Sequence, residues 1–222
     1  HLKTNQLTLN GSLVSNGANT YYGTAGGSIW LEAQKLEGLG KIQANGGNAN
    51  YQSGGGGRVA IYANDNSNFD LTKVEAKGGV SRNYPDRDSL AGGAGTIYLK
   101  DTSNNKIDLT IAGQLQNEHP TIIESLTGFD DVTIINAFVK VLGESIASKP
   151  WRIENSRVEY GGGWTDPQTE AISYEGATLT INGDYSTPAS AIAFTNTNLT
   201  VMGRFAAPNA RTVKIDDSQI VL

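Results

Sequence analysis

The chain has two histidines, His1 and His119, and no cysteine in 222 residues. Thiol catalysis and thiolate metal sites are therefore excluded at the outset. His119 lies in the turn-like string Asn117-Glu118-His119-Pro120; one loop histidine with one glutamate falls short of the three or four converging ligands that zinc needs. Asp130-Asp131 is an adjacent carboxylate pair, but neighbouring residues on a strand point to opposite faces, so adjacency alone makes no acid–base dyad. The pair reads as a polar turn before Val132–Ile134. Gly54-Gly55-Gly56-Gly57 invites a phosphate-loop reading, yet no Gly-Lys-Ser/Thr and no helical pattern follows. These glycines read as tight turns between strands. Asp65, Asn66, Ser67, Asn68 and Asp70 form an oxygen-rich cluster, with Asp86 and Asp88 as a second. Calcium, held by Asp65 and Asp70, is thus the one cofactor with any support. A solvated loop is the simpler reading, because the glycine and closing glutamate of a calcium-binding loop are missing. No catalytic residue is assigned.

Aromatic side chains are the better candidates for binding. Trp30, Tyr62 and Tyr98 fall on equivalent strands of three long repeats, where Trp30 aligns with Ala60 and Tyr98, and Tyr62 lies two residues on. The aliphatic residues Ile29, Leu31, Val59, Ile61, Ile97 and Leu99 alternate with them and claim the core, which turns the aromatics outward or beneath a cover of loops. An outward face would give a flat platform for sugar rings. Tyr51, with Tyr21, Tyr22 and Tyr84, belongs to loops that could supply cover or contacts. Trp164 joins the candidates from a looser second group with Trp151, Tyr160 and Tyr174.

The elements that must position these residues are repetitive. One long unit occurs three times, as Leu13–Ala18 with Gly26–Leu31, Lys41–Gly47 with Gly56–Tyr62, and Lys73–Gly79 with Ala94–Leu99. Each has a short strand, a glycine pair, a variable insertion, a second glycine cluster and another strand. Val14, Ile42 and Val74 read as equivalent, as do Ile29, Val59 and Ile97. A shorter motif appears at Leu7–Leu13, Leu109–Leu115, Leu179–Tyr185 and Leu199–Phe205, its last two copies 20 residues apart. In each, the glycine reads as a sharp corner. The expected fold is all-β, a right-handed parallel β-helix with long loops inserted in the N-terminal rungs. It is read as one continuous solenoid, with glycine-rich rungs over 1–100 and more regular rungs over 101–222. A sandwich would not return the same seven-residue pattern at a rung-sized interval. The pattern runs on through Asp217–Leu222, as expected for a piece of a longer chain with further domains.

Composition narrows the function classes. The net charge of −5, without a cluster of Lys or Arg, argues against nucleic acid as a partner. No apolar stretch reaches the ~18 residues of a spanning helix, so no membrane insertion of this segment is expected. The abundance of Gly, with 27 residues, and of Asn and Thr suits short strands and turns.

The stretch Gly26–Leu31, Gly40–Gly47 and Gly54–Tyr62 resembles glycine-rich segments of large bacterial surface and secreted proteins, over roughly residues 5–100. The short rungs of the second half resemble right-handed β-helices of the pectin-lyase-like or adhesin type. That resemblance implies an extracellular or cell-surface location and a non-catalytic role in adhesion or surface attachment, with a polysaccharide or a cell or solid surface as partner. A polysaccharide lyase or glycoside hydrolase, including a tailspike-like depolymerase, is the alternative. The sequence lacks the Asn-Thr-Asp, Gly-His-Gly and Arg-Ile-Lys motifs that polygalacturonase-like enzymes carry beside their aspartates. An ice-binding solenoid is a further alternative, although regular Thr-x-Thr ranks are missing.

Overall fold

The computed structural model describes residues 1–114, 118–146 and 151–222. It is all-β, with parallel strands in several sheets and two single-turn 3₁₀ segments, Leu71–Lys73 and Asp88–Leu90. Two compact units comprise His1–His119 and Pro120–Leu222.

In the first unit the strands Leu2–Thr8, Ser28–Gly38, Arg58–Phe69 and Thr96–Asp101 pair in parallel in that order. The short strands Ser12–Val14, Lys41–Gln43 and Val74–Glu75 make a second parallel sheet. Register places Ile29 beside Val59 and Val59 beside Ile97, while Trp30, Ala60 and Tyr98 share the next row. Period-2 alternation then sends Ile29, Leu31, Val59 and Ile61 into a core shared with Leu36, Ile42, Ala44, Phe69 and Val74. Each large aliphatic side chain so buried contributes about 1.5–3 kcal/mol. One equivalence shifts by a residue: Leu13, not Val14, is the partner of Ile42, and Val14 is exposed.

The insertions expected to be loops are paired arms. Each leaves a short strand, reaches a tip and returns to the next long strand, and its backbone hydrogen bonds recur every third residue. Along the outgoing arm, the Asn45 and Asn48 N–H groups donate to the side-chain oxygens of Asn16 and Asn19 in the preceding repeat. The Gly46 and Ala49 N–H groups donate to the Lys77 and Val80 carbonyls of the following repeat, and Gly47 and Asn50 donate to Thr24 and Tyr21 on the preceding returning arm. Returning arms bond to their own outgoing arms with the same period, Gly54 to Gly47 and Gly57 to Ala44, then Gly92 to Gly79 and Gly95 to Ala76. A strand has period two; period three is that of a polyproline II helix, whose backbone groups point outward in three directions for neighbours to use. The glycine clusters are therefore not the tight turns expected of them. A Cβ on Gly47 would stand 2.0 Å from the Ala18 carbonyl oxygen, so the arms can approach this closely only without side chains.

The strand Lys106–Ala112 pairs antiparallel with Thr96–Asp101. Ile97 faces Thr110 and Leu99 faces Asp108, whereas outward-facing Tyr98 lies beside buried Leu109. The apolar face thus changes sides at this junction. Leu109-Thr110-Ile111 is consequently not equivalent to the other copies of its motif, and Leu115, the end of that copy, lies outside the described residues.

The second unit has three parallel sheets. Asp131–Ile135, Arg152–Glu154, Ile172–Glu175, Ala191–Thr195 and Thr212–Asp216 form one. Thr121–Ile123, Phe138–Val141, Arg157–Tyr160, Thr178–Ile181, Asn198–Val201 and Gln219–Val221 form the next. The two-residue strands Ser145–Ile146, Trp164–Thr165, Tyr185–Ser186 and Phe205–Ala206 form the third. Here the motif does align, with Leu179 on Leu199 and Ile181 on Val201. Its glycines, Gly183 and Gly203, are not the left-handed corner. That conformation belongs to Asn136, Asn155, Gly176, Asn196 and Asp217, spaced 19, 21, 20 and 21 residues apart. Asn and Asp tolerate φ > 0 better than other residues with a Cβ. Directly after these corners, the Ser156, Thr197 and Ser218 hydroxyls accept the N–H groups of Ala137, Ala177 and Thr197, which satisfies backbone donors where the sheets break.

Candidate binding surface

The outward row on the first unit's long sheet comprises His1, Trp30, Tyr62 and Tyr98. Trp30 and Tyr62 stack with centroids 5.1 Å apart at 17°, Tyr62 and Tyr98 lie 5.4 Å apart at 41°, and His1 meets Trp30 edge-on at 5.9 Å. Trp30 is 46% exposed, whereas Leu31 beside it is fully buried. The Trp30 indole N–H donates to Glu32, which also receives Lys3 at 2.7 Å. Hydrogen bonds from Lys3 and Trp30 pull the Glu32 carboxyl below its usual range. Burial and the neighbouring Tyr62 raise the Tyr98 phenol. The row is a stack rather than the flat platform expected, since the faces of Trp30 and Tyr62 lie against each other. What it offers a ligand is a strip of ring edges with Tyr98 tilted at one end.

A second exposed row stands at the tips of the arms. Tyr21 meets Tyr22 at 5.0 Å and 81°, Tyr21 meets Tyr51 at 5.3 Å and 51°, and Tyr51 meets Tyr84 at 6.2 Å and 48°. The Arg87 guanidinium lies 4.5 Å over the Tyr84 ring, a cation–π contact. A hydrogen bond between phenols raises Tyr21 above its ordinary value. The tips are tied into the arm network: the Tyr21 carbonyl accepts from Asn50 and the Ser81 hydroxyl donates to the Asn50 carbonyl. Tyr51 therefore sits in a tyrosine row, separate from the sheet-face row.

Trp164 is not a surface contact. It is fully buried at the centre of an aromatic core, 5.0 Å from both Trp151 and Tyr160 and 5.3 Å from Tyr185. Its strand is only two residues long, too short for alternation to reveal which face it takes. Asp166 is buried beside this core. One of its oxygens accepts the Gln168 N–H and the other has no partner. Burial raises its carboxyl pKa, against the lowering effect of that hydrogen bond.

Asp65 and Asp70 do not converge. Asp65 accepts the Ser67 N–H and hydroxyl, and Asp70 accepts those of Thr72, capping the 3₁₀ turn. These local bonds pull both carboxyls below their usual range. Among the described residues no three His, Asp or Glu side chains gather as a metal site; the Asp88 side chain lies outside them. His119 meets the Ser89 carbonyl at 3.2 Å, and Asn117 of its string is outside the described residues.

Sequence reasoning missed one groove of about 480 Å³, in the second unit. The cross-strand bonds of Gly163, Asp184 and Arg204 set a column of Glu144, Gly163, Asp184 and Arg204 along it. Gly163 adds no side chain to the column, and the Asp184 carboxylate accepts the Arg204 N–H at 2.8 Å. The 20-residue spacing of Gly143, Gly163, Gly183 and Gly203 was the available signal.

No family model matches the chain, and neither the curated proteins nor the solved structures include a match to it.

Proposed function

We propose that this chain is a right-handed parallel β-solenoid segment of an extracellular or cell-surface protein, and that it acts in adhesion by binding polysaccharide or a comparable surface without catalysing a reaction. The solenoid reading is supported by strands that return in parallel register at 19–21-residue intervals. The binding reading is carried by one observation: successive repeats of the first unit turn aromatic side chains to one outward face, Trp30 and Tyr98 in register with Ala60 between them, and Tyr62, two residues along the strand, in ring contact with both. Aromatic residues are large, rigid contact surfaces, and a registered row of them suits a partner that itself repeats. Retention of the protein on insoluble polysaccharides tests this reading. Trp30→Ala with Tyr98→Ala should lower retention; an unchanged value would remove the sheet face from the binding surface.

The second reading, a polysaccharide hydrolase or lyase, has the groove that sets Glu144 and Asp184 either side of Gly163 in its favour. A reducing-end assay over the same polysaccharides separates the two. Product formation that disappears in Glu144→Gln or Asp184→Asn would favour the enzyme.

A further inference from the structure

We propose that the tyrosine row at the arm tips is a second binding subsite, distinct from the sheet face, and that it grips a neutral polysaccharide strand lying along the row from repeat to repeat. The inference rests on the carbohydrate reading above and gives it a place and a ligand class. Three features of the tips carry it.

The first is ring geometry. In the sheet-face row Trp30 and Tyr62 cover one another at 17°, whereas the tip rings meet at 51° and 48°. Tilted rings leave parts of their faces open, and it is the face of an aromatic ring that packs against the C–H side of a sugar. Tyr21 and Tyr22 are 55% and 61% exposed, Tyr51 and Tyr84 38% and 39%.

The second is rigidity. Loop tips generally pay an ordering cost on binding. These do not hang free, because the bonds from Asn50 to Tyr21, from Arg82 to Ala49 and from Ser81 to Asn50 fasten each tip to the next. A rigid scaffold presenting loop residues is the usual construction of a recognition site, and tyrosine among Ser, Gly and Asn is the composition that serves it at low entropic cost.

The third is charge and repetition. The polar sequence neighbours of Tyr21, Tyr22 and Tyr51 (Thr20, Asn50 and Gln52) are uncharged, and charge enters the row only at its Tyr84 end, near exposed Arg82, Asp86 and Arg87. Arg87 lies over one face of the Tyr84 ring and keeps its charge, so the open and uncharged stretch of the row is that of Tyr21, Tyr22 and Tyr51. Each of the three tips contributes a tyrosine to the row, Tyr21, Tyr51 and Tyr84 at 5.3 and 6.2 Å centroid spacing with Tyr22 beside Tyr21, and this matches a partner built of identical units better than the irregular surface of a folded protein.

The test is affinity electrophoresis or retention against neutral polysaccharides (cellulose, mannan, starch) and acidic ones (alginate, pectate), with the whole chain. Tyr51→Ala should weaken binding to the neutral polysaccharide retained by the wild type by about tenfold, the scale of a binding hot spot. Tyr51→Trp should restore it, and raising the salt concentration should leave binding unchanged. Tyr51→Ala combined with Trp30→Ala should lose more than either alone. Wild-type binding that Tyr51→Ala leaves intact overturns the tip subsite while sparing the general reading. Binding confined to the acidic polysaccharides, and lost with salt, overturns the neutral ligand. Failure of the wild type to bind any member removes both. An unchanged circular dichroism spectrum for Tyr51→Ala establishes that a loss reflects the missing ring.

Discussion

The α-carbon of Gly54 faces the carbonyl oxygen of Thr24 so closely that a Cβ there would lie 1.9 Å from it. Its sequence neighbour Gly55 has no such constraint, the nearest atom to its Cβ being the Gly93 carbonyl oxygen at 3.7 Å. Two adjacent glycines thus do different physical work, one admitting a neighbouring arm and the other leaving room for a methyl group in ordinary van der Waals contact. Gly54→Ala should destabilise the protein by several kcal/mol, on the order of the larger overpacking penalties, whereas Gly55→Ala should fall within about 0.5 kcal/mol of the wild type or gain slightly from a stiffer unfolded chain. Denaturant unfolding of the two variants decides this; equal effects would mean that the arms are not close-packed.

Glu75 sits where an arm begins and receives Lys77, Gln43 and Asn45. Burial alone would raise its carboxyl, but these three donors overcome that and hold it at about 2. A carboxyl with a depressed folded-state pKa adds stability that is fully present above its unfolded value, about 4.3, and that is lost as pH falls through about 2. Glu75→Gln should therefore cost on the order of 1 kcal/mol at neutral pH, the scale of a partly exposed charged network. The difference from wild type should vanish at the acid end of a pH series of thermal melts.

Asp166 presents the opposite sign. Its burial raises the folded-state pKa, so the ionised form is the costly one. That cost is absent below the unfolded pKa of about 3.9, grows as pH rises toward the folded value, and is constant above it. Asp166→Asn should raise the neutral-pH melting temperature, with a gain on the order of 1 kcal/mol, and the two proteins should converge in acid. A variant that melts lower at every pH would show that the carboxylate has a partner in solution.

At the corners of the second unit, Asn196 holds φ 48° and Gly176 holds φ 62° in equivalent places. Asn196→Ala should cost about 1–2 kcal/mol, the strain of a left-handed residue with a Cβ, and Asn196→Gly should be close to neutral. Chemical denaturation reads both. Equal losses would mean that the asparagine side chain, rather than its backbone tolerance, holds the corner.

Much of this was legible in the residues. The strict alternation of Ile29-Trp30-Leu31, Val59-Ala60-Ile61 and Ile97-Tyr98-Leu99 determined both register and facing, because a one-residue slip would have exposed every aliphatic side chain. Leu13 and Val14 were harder to tell apart, since two adjacent aliphatics on a three-residue strand fit either register. The arms were misread because a glycine at a turn and a glycine at a close approach look alike in a sequence. The distinguishing sign was the three-residue spacing of Asn16 with Asn19 and of Asn45 with Asn48. Leu109-Thr110-Ile111 carries the right residues for a parallel strand, but the direction in which a strand pairs is set by its neighbours. The tilt of the tip tyrosines and the burial of Trp164 depend on contacts between repeats, for which no local pattern exists.

The three-residue period of the arms also constrains how such a protein can diversify. An arm lengthened by three residues keeps every donor aimed at its old acceptor, while one or two added residues rotate the whole arm out of alignment with both neighbours. The cross-arm bonds run up to Asn50 and Gln52, so only the few residues beyond them escape this arithmetic. Insertions that preserve the arm network are thus multiples of three within an arm, or of any size beyond its last bond.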